Sequence, residues 1–205
     1  MFDLTEYIAT EYSNLSLSFM DLAIIAKYSE GRDLVVELGT CMGNTARMMS
    51  RLAQKVITID IFEDVSQVND QAQRTMYYQQ FVARPHYYND IKTFINKWRS
   101  NVEVIQGNTA KMSTCCSPET IDTLFIDADH SYLGVKLDYE AWFSKVKVGG
   151  YFLFHDCCPD TSGVSQVWPY YLDTLSQDTR IKEVEPEVQV MSNGTSIKVF
   201  QKIGS

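Results

Sequence analysis

The sequence predicts an α/β fold, a doubly wound and mostly parallel sheet that ends in an antiparallel hairpin. Three observations carry this reading. Apolar runs of strand length alternate repeatedly with helical stripes, and strands joined through helices run parallel with right-handed crossovers. Two β-rich runs then follow each other directly, 181–191 and 195–202, joined by Ser192-Asn-Gly-Thr195, and Asn-Gly supplies the positive φ angles of a tight turn. The length, 205 residues, suits a single domain, 1–205. Such a chain buries about 70% of its unfolded surface, so its core needs no staples.

The elements follow in order. Leu15, Phe19, Leu22 and Ala26 recur at helical spacing and predict an N-terminal amphipathic helix. Asp33-Leu-Val-Val-Glu-Leu38 is a buried strand that stops at Gly39. Residues 44–53 read as a helix with Met48, Met49 and Leu52 inward, and Lys55-Val-Ile-Thr-Ile-Asp60 as the second strand. Residues 61–90 change character, polar and aromatic with Tyr77, Tyr78, Tyr87 and Tyr88 close together. They read as an insertion or lid within the domain. Ile91, Phe94, Ile95 and Trp98 stripe the next helix, and Val102–Gln106 and Ile121–Asp127 are strands three and four. Val135, Tyr139, Trp142 and Val146 stripe a helix, Gly150–His155 is strand five, and Val164, Trp168, Tyr171, Leu172 and Leu175 mark a last helix that Pro169 is placed to kink.

Composition excludes several classes. Hydrophobic residues make 45% and charged residues 21%, an ordinary globular mix rather than a disordered or fibrous one. The net charge of −8 and the pI near 4.9 disfavour a nucleic-acid partner, since an acidic surface repels phosphates. No apolar run reaches the roughly 18 residues of a membrane span, and Met1-Phe-Asp-Leu-Thr-Glu6 lacks the basic-then-apolar pattern expected of a secretory signal. Five cysteines, with Cys115–Cys116 and Cys157–Cys158 adjacent and badly placed for ordinary disulfides, predict free thiols in a reducing cytoplasm.

In an open parallel sheet, ligands bind at the carboxyl ends of the strands, where strand order reverses. That rule turns the topology into candidate residues. The first strand runs into Glu37-Leu-Gly39-Thr40-Cys-Met-Gly43, whose two glycines permit a sharp turn and close approach of backbone to a ligand. The third glycine of the dinucleotide fingerprint is missing, and no Lys-Ser/Thr follows to make a P-loop. Asp60, 21 residues after Gly39, ends the second strand, where an acid accepts hydrogen bonds from both hydroxyls of a ribose. A plain strand-to-helix turn and a helix-capping acid are the alternatives at these positions. Together the residues describe a nucleoside site without a strong diphosphate cradle.

On Val-Val-Glu37-Leu-Gly39-Thr-Cys-Met-Gly43 and Val-Ile-Thr-Ile-Asp60, the chain resembles the class I S-adenosylmethionine-dependent methyltransferases over roughly residues 15–202. The resemblance implies a Rossmann-like sheet of seven strands whose last strand is reversed. It places Glu37, Gly39, Thr40 and Gly43 around the methionine part of S-adenosylmethionine, Asp60 on the ribose, and Gly107-Asn108 beside the adenine or its ribose.

A second constellation follows strands four and five. Phe125-Ile-Asp127-Ala-Asp129-His130 and Phe152-Leu-Phe154-His155-Asp156 would meet if those strands are neighbours, bringing three acids and two of the three histidines together. Carboxylates so crowded repel one another unless a cation or protons offset them, and a divalent metal is the economical answer. Asp127 and Asp156 suit ligation. His130 suits a general base, since imidazole titrates near neutrality. The structural alternatives are that Asp129 caps the following helix and that His155 is a satisfied core histidine.

Asp-Ala-Asp-His with a later His-Asp is similar to the small bacterial metal-dependent O-methyltransferases, the group of macrolide-sugar methyltransferases and cephalosporin hydroxylase-like proteins. That resemblance implies a metal acid at Asp127, which also lies against the donor, an acid-Asp pair at 155–156 and a histidine base at His130. Catechol-type enzymes, with Asp-Asn at the pair, are more distant. This chain departs in having His155, and imidazole suits transition metals better than magnesium. Either the metal is softer than magnesium or His155 stands behind the ligands.

The expected activity is therefore O-methylation of a small hydroxyl-bearing metabolite, a sugar, polyketide or phenol, with S-adenosylmethionine as donor and magnesium or a transition metal as cofactor. A homo-oligomer is compatible with the sequence. Two rival readings remain at this stage: a nicotinamide oxidoreductase on a similar sheet, and a nucleoside-binding protein without catalysis. Cys41, Cys157 and Cys158 read as packing or turn residues.

Overall fold

The computed structural model describes residues 17–62, 87–97, 100–159, 165–184 and 196–205. Its strands are β1 (Leu34–Leu38), β2 (Lys55–Asp60), β3 (Val102–Gln106), β4 (Ile121–Ile126), β5 (Val146–Phe154), β6 (Ile181–Glu183) and β7 (Lys198–Lys202). Its α-helices are α1 (Phe19–Ser29), α2 (Asn44–Met49), α3 (Tyr87–Asn96), α4 (Tyr132–Trp142) and α5 (Val167–Asp173). The seven strands form one sheet in the order β3-β2-β1-β4-β5-β7-β6. The first five are mutually parallel, and β7 runs antiparallel to both β5 and β6. This is the Rossmann-like, mostly parallel architecture that the sequence predicts. The Asn193-Gly194 turn lies outside the described residues.

Alternate side chains of each strand feed two cores, as a pleated strand covered on both faces requires. Val35, Val56, Leu153 and Val199 pack with α1, α2 and α3 on one side. Val36, Ile57, Ile59, Phe152, Phe154 and Phe200 pack with α4 and α5 on the other, around the fully buried Trp142 and Tyr139. Apolar burial on both faces makes these strands read as continuous hydrophobic runs.

The helices correct several sequence-based details. In α1 the buried face is Leu22, Ile24, Ile25 and Tyr28, whereas Phe19 is exposed and Leu15 lies outside the described residues. The sequence there is apolar nearly all round, so spacing alone picks the wrong stripe. The second helix ends at Met49, and Leu52 sits in the turn that follows. Val146 begins β5 rather than ending α4. In α5 the inward residues are Val167 and Tyr170, and Leu175 is buried in a separate 3-10 turn. Pro169 falls in the first turn of α5, where its missing N–H would have had no helical acceptor, so its position calls for no kink.

Residues 63–86, most of the expected lid, lie outside the described residues, as do Trp98 and Val164. Tyr87 and Tyr88 belong to α3 and are structural. The Tyr87 hydroxyl donates to the Cys41 carbonyl at 2.6 Å, and the Tyr88 hydroxyl to the Val104 carbonyl at 3.0 Å. Among the described residues no helix is long and apolar enough to cross a membrane. All five cysteines are free.

Candidate active site

Strand order reverses between β1 and β4, and the site is built there. The ladder continues one residue past the strand ends. Gly39 N–H donates to Ile59 O at 2.8 Å, Asp127 N–H to Leu38 O at 2.9 Å, Gly107 N–H to Asp60 O at 2.8 Å, and His155 N–H to Ile126 O at 3.1 Å. Five loops therefore leave the sheet at one level, and the residues singled out in sequence stand at their roots.

The first loop is made by its glycines. Gly39 has φ +95°, and a Cβ there would lie 2.1 Å from the Asp127 carbonyl oxygen. Gly43 caps α2 with φ +76°, and a Cβ there would meet the Ile95 side chain at 2.7 Å. Only glycine allows both the left-handed backbone and these approaches. Cys41 also has positive φ, 45°, and burial pushes its thiol up to about 12, which disfavours the nucleophilic thiolate.

Asp60 holds this loop. One carboxylate oxygen accepts the N–H groups of Thr40 and Cys41 at 2.8 and 3.0 Å, and the other accepts Phe62 N–H at 2.9 Å. Three of the roughly four lone-pair positions of a carboxylate are thus occupied. Burial raises the Asp60 pKa, and the backbone N–H groups of Phe62, Cys41, Thr40 and Ile61 work against that rise. Glu37 lies beneath the loop. Its carboxylate accepts the Thr58 hydroxyl at 2.5 Å, and the Thr58 and Thr40 hydroxyls are 2.6 Å apart. Burial, with Asp127 and Asp60 close by, drives the Glu37 carboxyl well above the ordinary range despite the Thr58 bond. The third loop carries Gly107, packed on Met112, and Asn108, whose side-chain oxygen accepts Lys111 N–H at 3.1 Å. Next to it the Thr109 hydroxyl donates to buried Asp138 at 2.6 Å.

Asp127, His130, His155 and Asp156 each offer a ligand atom, and those atoms all lie within 4.8 Å of one another. The expected meeting of the β4 and β5 tips is therefore present. His155 Nδ1 stands 2.7 Å from Asp127 Oδ1 and 3.5 Å from Asp156 Oδ1. His130 is not set apart from the acids. Its Nε2 is 3.2 Å from Asp127 and its Nδ1 2.9 Å from Asp156. Burial opposes charging these imidazoles, but the facing carboxylates win, lifting His130 to about 10 and raising His155 as well. In return, burial pushes the Asp127 pKa up but the two histidines bring it well below the usual range, and Asp156 is lowered in the same way. Two carboxylates and two imidazoles converge on a space of the size that suits one divalent cation. The donors, two carboxylates and two imidazoles, fit such an ion chemically.

Asp129 takes no part in the cluster. Its carboxylate accepts Ser131 N–H at 3.0 Å, while Ser131 is the cap of α4. Cys157 is a buried core residue. Two acids escaped the sequence reading. Asp21, the capping-box acid of α1, is buried with one oxygen 4.0 Å from His155 Nε2. Asp138 is buried behind the third loop. A capping-box spacing, Ser18-x-x-Asp21, was visible, but nothing local links it to β5.

Fold and site together define an α/β domain with a glycine-bearing loop at the strand-order reversal and an acid-histidine cluster beside it. A family model described as a methyltransferase domain matches residues 36–157, more than half of the chain, and the chain belongs to this methyltransferase domain family. It is a methyltransferase, which sets aside the nicotinamide and binding-only readings. No curated protein matches it. Among solved structures, the O-methyltransferase TomG of Streptomyces achromogenes, involved in tomaymycin synthesis and solved with SAM, is 13% identical with TM-score 0.59, covering 100% of this chain and 92% of its own. An rRNA methylase from Streptococcus thermophilus is 15% identical with TM-score 0.53, covering 90% and 95%. The N-methyltransferase NodS of Bradyrhizobium japonicum WM9 is 12% identical with TM-score 0.54, covering 88% and 92%. These likenesses concern the fold, which these differently described methyltransferases share, so the fold does not select the acceptor.

Proposed function

We propose that the protein transfers a methyl group from S-adenosylmethionine to a hydroxyl of a small metabolite, a sugar, polyketide or phenol, assisted by a divalent cation. It would stand with the small bacterial metal-dependent O-methyltransferases. The observation that carries the reading is the cluster of Asp127, His130, His155 and Asp156 at the tips of β4 and β5, beside the Gly39 loop.

In this reading Glu37, Gly39, Thr40 and Gly43 shape the pocket for the methionine part of the donor, Asp60 faces its ribose and Gly107-Asn108 its adenine. Asp127 serves donor and metal alike. Asp127 and Asp156 are the ligands, with His155 beside them. Bound there, a divalent cation supplies Lewis acidity toward the acceptor hydroxyl. With the charges of Asp127 and Asp156 offset by a bound cation, the rise in the His130 pKa that they cause would be relieved, and the neutral His130 would take the hydroxyl proton as the oxygen attacks the methyl carbon and the carbon–sulfur bond breaks, leaving S-adenosylhomocysteine. His130 is the more exposed imidazole, 24% against 10% for His155, which favours it for the proton and His155 for the ion. Holding oxygen and methyl in line at about 3 Å supplies much of the rate. The acidic surface supports a small acceptor rather than nucleic acid.

The test is threefold. Titration with S-adenosylhomocysteine and with NADH must show binding of the first alone. Turnover of S-adenosylmethionine on a panel of sugars and phenols must require added metal. His130→Ala must lower that turnover by about 10²–10⁴-fold with Mn²⁺ binding retained. Full turnover by His130→Ala at saturating acceptor would remove His130 from the reaction.

A further inference from the structure

We infer that Asp21 is the outer partner of His155, and that the pair makes His155 a nitrogen ligand and biases the site toward a transition-type divalent cation over magnesium. This rests on the reading of the cluster as a metal centre and sharpens it.

The orientation of the His155 ring is the starting point. Nδ1 faces Asp127 and Asp156, at 2.7 and 3.5 Å. Nε2 faces the other way, toward Asp21 Oδ2 at 4.0 Å. A neutral imidazole carries one proton. In this structure Nδ1 lies within hydrogen-bond distance of Asp127, but a cation held by Asp127 and Asp156 would displace a proton from that side, and the carboxylate of Asp21 would then favour the remaining proton on Nε2 and leave the Nδ1 lone pair for the ion, the arrangement by which outer acids prepare histidine ligands.

Asp21 is held in place independently of any ligand. It is 3% exposed. Oδ2 accepts both the N–H and the hydroxyl of Ser18, at 3.0 and 2.6 Å, and Oδ1 accepts Ser196 N–H at 3.0 Å. The cap of α1 and the segment entering β7 therefore lock the acid behind His155. The ring itself is buried, with the edge of Phe125 packed against it at 6.2 Å between centroids. An imidazole so confined has little room to retreat in favour of water. Magnesium requires a near-octahedral shell of oxygens, whereas imidazole suits the later divalent metals. A fixed nitrogen donor thus penalises magnesium more than cobalt, zinc or manganese.

The test uses the metal-stripped full chain and reads Co²⁺ and Mg²⁺ affinities, with the visible absorption of Co²⁺ reporting nitrogen ligation. Because many sites favour Co²⁺, the comparison is between variants. Asp21→Asn keeps one acceptor oxygen, enough for the N–H of Ser18 or of Ser196 but not for both, and lacks the charge, and it is expected to weaken Co²⁺ by about 10–100-fold. Gly31→Ala strains a left-handed backbone position, φ +71° with nothing within 4 Å of the added Cβ, and touches neither Asp21 nor His155. It is expected to lower the melting temperature while leaving Co²⁺ affinity unchanged, which separates positioning from mere stability. His155→Asp is expected to lower the Co²⁺/Mg²⁺ affinity ratio at least tenfold. The inference is overturned if Asp21→Asn binds Co²⁺ as tightly as the parent, or if His155→Asp leaves the ratio unchanged. If neither ion binds the parent chain, the metal reading fails and this inference with it. If both bind and the ratio ignores these substitutions, only the inference fails.

Discussion

The carbonyl oxygen of Asp127 stands 2.1 Å from the point where a Cβ on Gly39 would lie. The tip of β1 and the tip of β4 are in backbone contact across the strand-order reversal, and no side chain fits between them. Gly39→Ala therefore forces the two loops apart. It also places alanine at φ +95°, and left-handed backbone costs a non-glycine residue roughly 1–3 kcal/mol. Gly31→Ala is the control, since Gly31 has φ +71° and nothing within 4 Å of its Cβ position. Both variants are expected to melt earlier, but only Gly39→Ala should lose S-adenosylhomocysteine binding in calorimetry. Equal affinities for the two would mean that the contact does not shape the donor pocket.

Asp60 has a second task beyond the one its position in sequence suggests. Its oxygens collect the N–H groups of Thr40, Cys41 and Phe62. Asp60→Ala orphans these three donors, and each buried unsatisfied group costs about 1–3 kcal/mol. Asp60→Asn keeps one acceptor oxygen but turns an NH2 toward an N–H. We expect Asp60→Ala to fold poorly, and Asp60→Asn to fold while binding S-adenosylhomocysteine at least tenfold more weakly. Parent-like affinity in folded Asp60→Asn would count against the ribose role.

What was legible in the sequence depended on whether a residue's partners were local or implied by topology. Glu37, Gly39, Asp60, Asp127 and Asp156 could be placed together at one end of the sheet because parallel strands end at one level, so residues at and just beyond each tip are neighbours. Asp21 was not, because its contact with His155 depends on how α1 docks, and a helix apolar nearly all round does not declare its docked face. The place of His130 between Asp127 and Asp156 was likewise hidden. Sequence put it three residues beyond Asp127, but the direction of the ring depends on the loop conformation, with Gln166 N–H donating to the His130 carbonyl at 2.8 Å. Asp138 was missed because its spacing on α4 reads as the polar side of an amphipathic helix, and only the packing of the β3 loop against α4 buries it.

Asp138 yields a pH prediction. Burial, reinforced by Asp129 and opposed by the Thr109 hydroxyl, pushes its carboxyl up to about 7. The folded state then holds this proton where the unfolded chain, with a carboxylate near the usual 3.9, has lost it. Stability from this group is fully present below about pH 4, declines as pH rises between about 4 and 7, and is flat above. The steepest slope is about 1.4 kcal/mol per pH unit. Asp138→Asn cannot titrate, so the difference in unfolding free energy between variant and parent should shift in favour of the variant as pH rises from 5 to 8. Urea unfolding at four pH values reads this directly. A difference independent of pH would show that Asp138 titrates normally.

Asp156 sits at φ 52°, in the left-handed region, with its carboxylate turned onto His130. Left-handed backbone costs most residues about 1–2 kcal/mol, although Asp and Asn tolerate it best. Strain of this kind at a cluster of ligand atoms is expected where position matters more than stability. Asp156→Asn preserves the backbone preference and an acceptor for His130 but removes the charge. It should melt within a few degrees of the metal-free parent, bind Mn²⁺ at least tenfold more weakly, and turn over little. Chelation of the parent should produce the same loss of turnover, with S-adenosylhomocysteine binding intact, and micromolar Mn²⁺ should restore the parent but not the variant. Turnover of Asp156→Asn that survives chelation would leave the carboxylate without a metal role, because charge on Asp156 would then matter to neither the ion nor the acceptor hydroxyl.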